Sequence, residues 1–133
     1  MSTRATGTFK VESWDEKPYA EVEGGGKLTR ASVEQALSRD FEGDAAVEWL
    51  MCYRPDETAD FVGLQRVTGK VGGRSGSFVL VHEDGTFDGK EASARLSVVP
   101  GSGTGDLQGL RGEGEFRAPH GSVASVTLDY EIE

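Results

Sequence analysis

Hydrophobic and polar residues alternate with a period of two along several segments of the chain. Within residues 6–14, Phe9 and Val11 fall on one face and polar residues on the other. The same alternation runs through residues 89–99 and 123–132. A period of two is that of a β-strand with one buried face, so the pattern predicts strands in all three segments.

Turn residues mark the ends of the other predicted strands, which are residues 47–53, 61–71, 77–82 and 107–116. Turn or loop signals occur at residues 54–56, at Gly72-Gly73, at Asp84-Gly85, at residues 100–105 and at residues 119–121. The glycine pair predicts a two-residue hairpin between its neighbours, and Asp84-Gly85 is expected to end a strand. Seven or eight short strands at this spacing predict an all-β sandwich or barrel.

Residues 32–40 fit two patterns. Ser32-Val33-Glu34-Gln35 matches the capping box that begins many helices, and local propensity slightly favours a helix there. The same residues also alternate between apolar and polar, as a strand requires.

Length and composition predict one globular domain over residues 1–133. The chain has 36% hydrophobic and 28% charged residues, and no apolar stretch reaches the ~20 residues of a membrane helix. The first residues carry no apolar block of signal-peptide length, so we expect a cytoplasmic protein.

The charge and the metal-ligating residues exclude several classes of partner. The net charge of −9 repels phosphate backbones and anionic lipids, so nucleic acid and membranes are not expected partners. Cys52 is the single cysteine, and the two histidines, His82 and His120, are far apart in the sequence. We therefore expect no disulfide, no metal site and no cofactor.

Sorting the strands by alternation predicts one large apolar inner face. The residues expected to line a ligand cavity there are Trp49, Met51, Leu64, Phe78, Leu80 and Tyr130. The same alternation brings Arg66 and His82 to the inner face, near the Tyr53 hydroxyl. A closed barrel of about eight strands either fills its interior with side chains or holds one small ligand.

The opposite face is not cleanly polar, because Leu50, Cys52, Val67, Val79 and Val81 fall there beside Glu48 and Gln65. Apolar residues on the second face of an antiparallel sheet need a cover. We therefore expect a homodimer whose subunits meet on this face.

Several motifs resemble a family of small, uncharacterised bacterial proteins common in actinobacteria. They include Glu48-Trp49-Leu50-Met51 and the segments 13–16, 28–31, 61–69, 73–80, 98–105 and 109–114, and together they span nearly the whole chain. Family members with known folds resemble the closed antiparallel, calycin-like barrel of allene oxide cyclase. The resemblance implies that residues 32–40 are extended and that the fold is a barrel, but it implies no activity. The chain departs from the family pattern at Gln65, where Glu is usual, and at Val81, where Gln is usual.

Three functions fit these features. The first is a carrier that binds a small hydrophobic molecule, and the second is a cofactor-free isomerase or cyclase that confines its substrate. In the second case Tyr53, Arg66 and His82 would steer the substrate, with Arg66 able to hold a ligand carboxylate. Structural alternatives are a hydrogen-bonded histidine at the rim and an ion pair of Arg66 with Glu48 or with a carboxylate elsewhere. The third function is a structural or interaction protein whose barrel is solid.

Overall fold

The computed structural model describes residues 2–119 and 123–133, which form a closed antiparallel barrel of eight strands. Each strand pairs with the next along the chain, and β1 pairs with β8 to close the barrel. This confirms the predicted all-β barrel. The strands are β1 Thr3–Val22, β2 Gly26–Arg39, β3 Phe41–Tyr53, β4 Ala59–Val71, β5 Arg74–Phe87, β6 Glu91–Val98, β7 Leu110–Pro119 and β8 Ala124–Ile132.

The structure confirms two local predictions, a hairpin at Gly72-Gly73 and an extended segment after Ala31. Gly72 and Gly73 join β4 to β5 as a tight hairpin, with φ angles of 57° and 85° that glycine adopts without strain. Residues 32–39 are part of β2 and pair with β1, and residues 32–37 also pair with β3. Tertiary pairing on both sides therefore overrides the slight helical propensity of this segment.

The turn predicted at Asp84-Gly85 does not form as expected. Asp84 and Gly85 do not end β5; instead the pairing of β5 with β4 and with β6 shifts there, and Asp84 has a φ of 52°. The left-handed conformation that Asp tolerates allows a β-bulge inside this long strand.

The strand predicted over residues 107–116 begins later, at Leu110, because Gly105–Leu107 form a short 3₁₀ helix. His120 and Gly121, predicted as a turn, lie outside the described residues.

The predicted inner face of β4 is wrong. Trp49 pairs with Gly63, and Val47 pairs with Gln65, so the odd-numbered residues of β4 point into the barrel. Val62 and Leu64 are consequently on the outer surface, with exposed fractions of 54% and 56%. The prediction failed because the true inner positions include a glycine and a glutamine, so hydrophobicity favoured the opposite alternation.

The two ends of the barrel differ. One end is densely packed by large side chains that are almost fully buried: Phe41, Phe78, Leu80, Leu96, Leu110, Leu128, Val67 and Val71. Leu107 of the 3₁₀ helix, which packs against β5, is also fully buried. The opposite end comprises the end of β3, the start of β4, the end of β7 and the start of β8, and it is open. The described residues include no helix long and apolar enough to cross a bilayer.

Candidate ligand-binding site

A cavity of about 330 Å³ opens at the less densely packed end of the barrel. Among the described residues its polar lining consists of Gln35 and Tyr53. The apolar lining consists of Phe9, Val11, Trp14, Trp49, Met51, Phe61, Phe87, Ala92, Phe116, Ala118, Pro119 and Ala124. An apolar concavity with a few polar groups is the usual form of a small-molecule site.

The first strand extends beyond the barrel and supplies part of this lining. In the described part of the chain, Thr3–Phe9 of β1 pair with β8, whereas the rest of β1 pairs with β2. The pairing shifts by one residue between Val11 and Ser13, so Glu12 is an extra residue of a bulge. Strict alternation would place Trp14 outside, but the bulge turns it toward the cavity. Trp14 remains 47% exposed, as expected at a cavity mouth.

Aromatic rings surround the inner part of the cavity. The Trp49 ring lies 5.5 Å from the Phe61 ring and 6.2 Å from the Phe116 ring, measured between centroids. Trp14 lies 5.5 Å from Trp49 on the other side. Gly63 makes room for this cluster, because a Cβ atom there would lie 2.5 Å from Cδ1 of Trp49. The aromatic rings form a rigid, apolar wall suited to flat or branched hydrocarbon groups.

Behind this wall, four side chains form a buried hydrogen-bonded chain. Nε1 of Trp49 donates to Nδ1 of His82 over 3.0 Å, and Nε2 of His82 lies 2.9 Å from Oε1 of Gln65. Nε2 of Gln65 then donates to Oε1 of Gln35 over 2.6 Å. The exposed fractions of His82 and Gln65 are 1% and 0%, so water does not compete with these bonds.

Burial lowers the pKa of His82 from 6.5 to about 4. His82 is therefore a neutral imidazole at pH 7, and it lies in the wall behind Trp49 rather than at the cavity surface. A neutral ring with two hydrogen-bond partners is a structural connector between Trp49 and Gln65.

A second polar network lies at the mouth and is centred on Glu16. Oε2 of Glu16 accepts hydrogen bonds from the Tyr53 hydroxyl over 2.8 Å and from the Thr29 hydroxyl over 2.7 Å, while Oε1 accepts one from Nε1 of Trp14 over 3.0 Å. Burial, followed by the Glu16 carboxylate, raises the pKa of Tyr53 to about 12. Tyr53 thus keeps its proton, and that proton is directed at Glu16.

The structure brings together some of the predicted site residues. Trp49, Met51 and Tyr53 line the cavity, and His82 lies one hydrogen bond behind it. His82 faces inward as predicted, but it is buried in the wall and not at the rim. The roles predicted for these residues stay predictions.

The other predicted site residues are elsewhere. Arg66 and Leu64 are exposed on the outer surface of β4, so neither can contact a ligand in the cavity. Phe78 and Leu80 belong to the packed half of the barrel, and Tyr130 is at the opposite end, where its hydroxyl approaches Gly72. Large inward-facing side chains fill this end of the barrel, and the cavity lies at the other end.

Glu48, one of the partners considered for Arg66, pairs with Arg30. Glu48 accepts hydrogen bonds from Ser32 and Arg30, with Nη2 of Arg30 2.6 Å from Oε1. These two donors, Ser32 first, lower the pKa of Glu48, so this exposed carboxylate is not a candidate base. Cys52, which the alternation places on the opposite face from the cavity, is exposed.

Sequence reasoning missed several residues of the site. Phe61, Phe116 and Gln35 line the cavity, and Gln65 is fully buried in the wall. A partial signal existed for Gln35, because it alternates in phase with Val33 and Leu37 of the same strand. For Glu16 no signal existed, since its inward position depends on the bulge in β1.

An apolar patch lies on the outer surface of β3, β4 and β5, and we call Leu50, Val62, Leu64 and Val81 the outer patch. Leu50 pairs with Val62, and Leu64 pairs with Val81, so the four side chains are neighbours. Leu50, Val62 and Leu64 are exposed, with Leu50 at 49%, whereas Val81 is half-buried. A group of exposed apolar side chains of this kind is typical of an interaction surface.

Among residues 2–119 and 123–133, no group of three or more His, Cys, Asp or Glu side chains is arranged to hold a metal ion.

Comparisons with known proteins place the chain among barrels of unknown function. A family model described as "Protein of unknown function (DUF3224)" matches residues 5–130. The crystal structure of a protein with unknown function from the DUF3224 family of Shewanella oneidensis MR-1 is similar to this chain, with 30% sequence identity and a TM-score of 0.80. That similarity covers 100% of this chain and 99% of the other. No protein of curated function matches the chain.

Proposed function

The chain belongs to the DUF3224 family, and from this premise we propose that it binds a small hydrophobic molecule in the open end of its barrel. One observation carries the proposal: a cavity of about 330 Å³, lined almost entirely by apolar side chains, remains where the rest of the barrel is packed. Protein interiors are normally filled to crystal-like density, so a space of this size is costly unless it is used.

The dimensions and lining of the cavity support a ligand of modest size. Small-molecule sites range upward from ~300 Å³, so this cavity is at the lower end and fits a compact, one- or two-ring molecule. Apolar cavities exchange water readily for hydrocarbon groups, since water gains few hydrogen bonds inside them. Trp14 and Val11 at the mouth are both 47% exposed and would be covered by a bound molecule.

The isomerase or cyclase alternative has weaker support. Of the three residues expected to steer a substrate, Tyr53 lines the cavity, whereas Arg66 is on the outer surface. His82 is neutral and has both ring nitrogens engaged by Trp49 and Gln65. Binding without chemistry is therefore the proposal that the arrangement favours.

We also propose a homodimer formed through the outer patch. The whole chain carries a net charge of −9, which opposes self-association. Around the outer patch, however, the charges are balanced: Arg30 pairs with Glu48 at 2.6 Å, and Arg54 pairs with Asp60 at 2.6 Å. A second copy could thus approach there without facing an excess of like charge.

A fluorescence titration tests the binding proposal. N-phenyl-1-naphthylamine is a neutral apolar probe whose emission rises on leaving water, and Trp14 and Trp49, the two tryptophans of the chain, both line the cavity as energy donors. We expect saturable binding that Ala118→Phe weakens at least about tenfold by filling the cavity. Ala46→Phe is the matched control, because Ala46 is exposed on β3. Equal affinities of the two variants would refute the proposal.

A further inference from the structure

We infer that the ligand is a neutral hydrophobic molecule with a carbonyl-type hydrogen-bond acceptor, which the amide nitrogen of Gln35 recognises. This inference rests on the proposed function, and it adds the chemical class of the ligand. It comes from the direction of the buried hydrogen-bonded chain, not from the size of the cavity.

The direction of that chain is determined by Trp49. An indole N–H can only donate, so Nδ1 of His82 must accept from it. A neutral imidazole with an accepting Nδ1 carries its proton on Nε2, and this nitrogen therefore donates to Oε1 of Gln65. The contact between His82 and Gln65 can then have only one polarity.

The donor-to-acceptor direction of this bond also determines the direction of the next hydrogen bond, which reaches Gln35 at the cavity surface. Because Oε1 of Gln65 accepts from His82, its Nε2 is the end that donates to Oε1 of Gln35. The orientation of the Gln35 amide follows, since its oxygen is used by Gln65. Gln35 is thus left with its NH₂ group as the polar end available to a ligand, and this group can only donate.

Among the described residues, the NH₂ group of Gln35 has no hydrogen-bond partner, and it is not fully buried. Gln35 is almost fully buried, with an exposed fraction of 4%. Nevertheless, Nε2 of Gln35 makes no hydrogen bond with any described residue. Every fully buried side-chain nitrogen or oxygen in the described part of the chain does have a partner. Nε2 of Gln35 must therefore retain some accessible surface, and Gln35 lines the cavity.

The surrounding charges favour a neutral acceptor over a carboxylate. Neither Lys nor Arg occurs among the described residues that line the cavity, so a buried anion there would lack a counter-ion. Glu16 at the mouth accepts hydrogen bonds from Tyr53, Thr29 and Trp14, and its carboxylate opposes the entry of a second negative charge. The oxygen of a ketone, aldehyde, ester or amide can accept a hydrogen bond from Gln35. Because it is neutral, it needs no counter-ion and is not repelled by Glu16.

Three probes of nearly the same shape test this inference by competition against N-phenyl-1-naphthylamine. They are 2-acetylnaphthalene, 2-isopropenylnaphthalene, in which a CH₂ group replaces the carbonyl oxygen, and the anion 2-naphthoate. A single net hydrogen bond corresponds to roughly threefold to tenfold in affinity, so we expect the ketone to bind that much more tightly than the alkene. We expect 2-naphthoate to bind more weakly than the ketone.

Variants of two glutamines identify the donor. Gln35→Met should abolish the preference for the ketone, whereas Gln108→Met, a matched change at an exposed position, should keep it. In infrared spectra of 2-acetylnaphthalene labelled with ¹³C at the carbonyl, the bound C=O stretch should move to lower frequency with the wild-type protein and not with Gln35→Met. The comparison of probes on the wild-type protein remains decisive if Gln35→Met does not fold.

The outcomes separate this inference from the proposed function. If the ketone and the alkene bind equally, if 2-naphthoate binds most tightly, or if Gln35→Met keeps the preference, the inference is overturned while the binding function stands. If none of the probes and no N-phenyl-1-naphthylamine binds, the binding function itself fails and the inference fails with it.

Discussion

The buried His82 predicts a specific loss of stability in mild acid. Its pKa is about 4 in the folded protein and 6.5 when it is exposed to water, so the unfolded chain takes up the proton first as the pH falls. Stability is therefore complete above pH ~6.5, decreases as the pH falls below that value, and stops responding to this group below pH ~4.

The size of the effect follows from the two pKa values. The full difference corresponds to about 3 kcal/mol, because one pKa unit is worth ~1.4 kcal/mol. Between pH 7 and pH 5 the linkage relation gives a loss of about 2 kcal/mol. This is a large part of the ~5–15 kcal/mol by which typical domains are stable.

Urea unfolding at pH 7, 6 and 5 measures this loss in the wild-type protein and in His82→Gln, whose side chain does not titrate. We expect the loss of about 2 kcal/mol in the wild type and almost none in His82→Gln. His120→Gln controls for the other histidine and should retain the wild-type dependence. Glu48 and Asp129 have pKa values lowered from 4.5 and 3.8, so their pairing is lost mainly below this window. The same pH dependence in the wild type and in His82→Gln would refute the reasoning.

Three further variants test other features of the fold. Gly63→Ala should lower the free energy of unfolding by about 1–3 kcal/mol, because its Cβ would contact Cδ1 of Trp49 at 2.5 Å; an unchanged urea midpoint would contradict this. Leu64→Asp places a charge in the outer patch and should shift light-scattering mass toward the monomer, and a wild-type protein that is already monomeric would disprove the dimer. Arg66→Ala should leave the affinity for N-phenyl-1-naphthylamine within about twofold, because Arg66 is outside the barrel; a tenfold loss would show that it reaches the ligand.

The fold could be predicted from the sequence because its main determinants are local. Alternation in β1, β6 and β8 and the glycine pair at Gly72-Gly73 each act over a few residues, and together they specify antiparallel strands. For residues 32–40 the local signal was ambiguous, and the family resemblance gave the correct extended conformation. The prediction of a strand there succeeded through this resemblance and not through propensity.

The site was harder to predict because it depends on register. A one-residue error in β4 exchanges its two faces, so Leu64 and Arg66 were placed inside and Gln65 outside. The bulge at Glu12 has the opposite effect in β1, where it turns Trp14 toward the cavity and Glu16 toward the polar network at the cavity mouth. A buried glutamine also looks like a surface residue in a sequence, since its partners come from other strands.

The most direct test of a ligand cavity in the open end of the barrel is a ¹H–¹⁵N correlation spectrum recorded during titration with N-phenyl-1-naphthylamine. The chain has two tryptophans, Trp14 and Trp49, and both line the cavity, so the two indole N–H signals report on it without interference. We expect both indole signals to shift with the same saturable dependence on probe concentration, while the backbone amides of Val62 and Leu64 stay unchanged. Movement of those two amides with unchanged indole signals would place the probe on the outer patch and contradict the account.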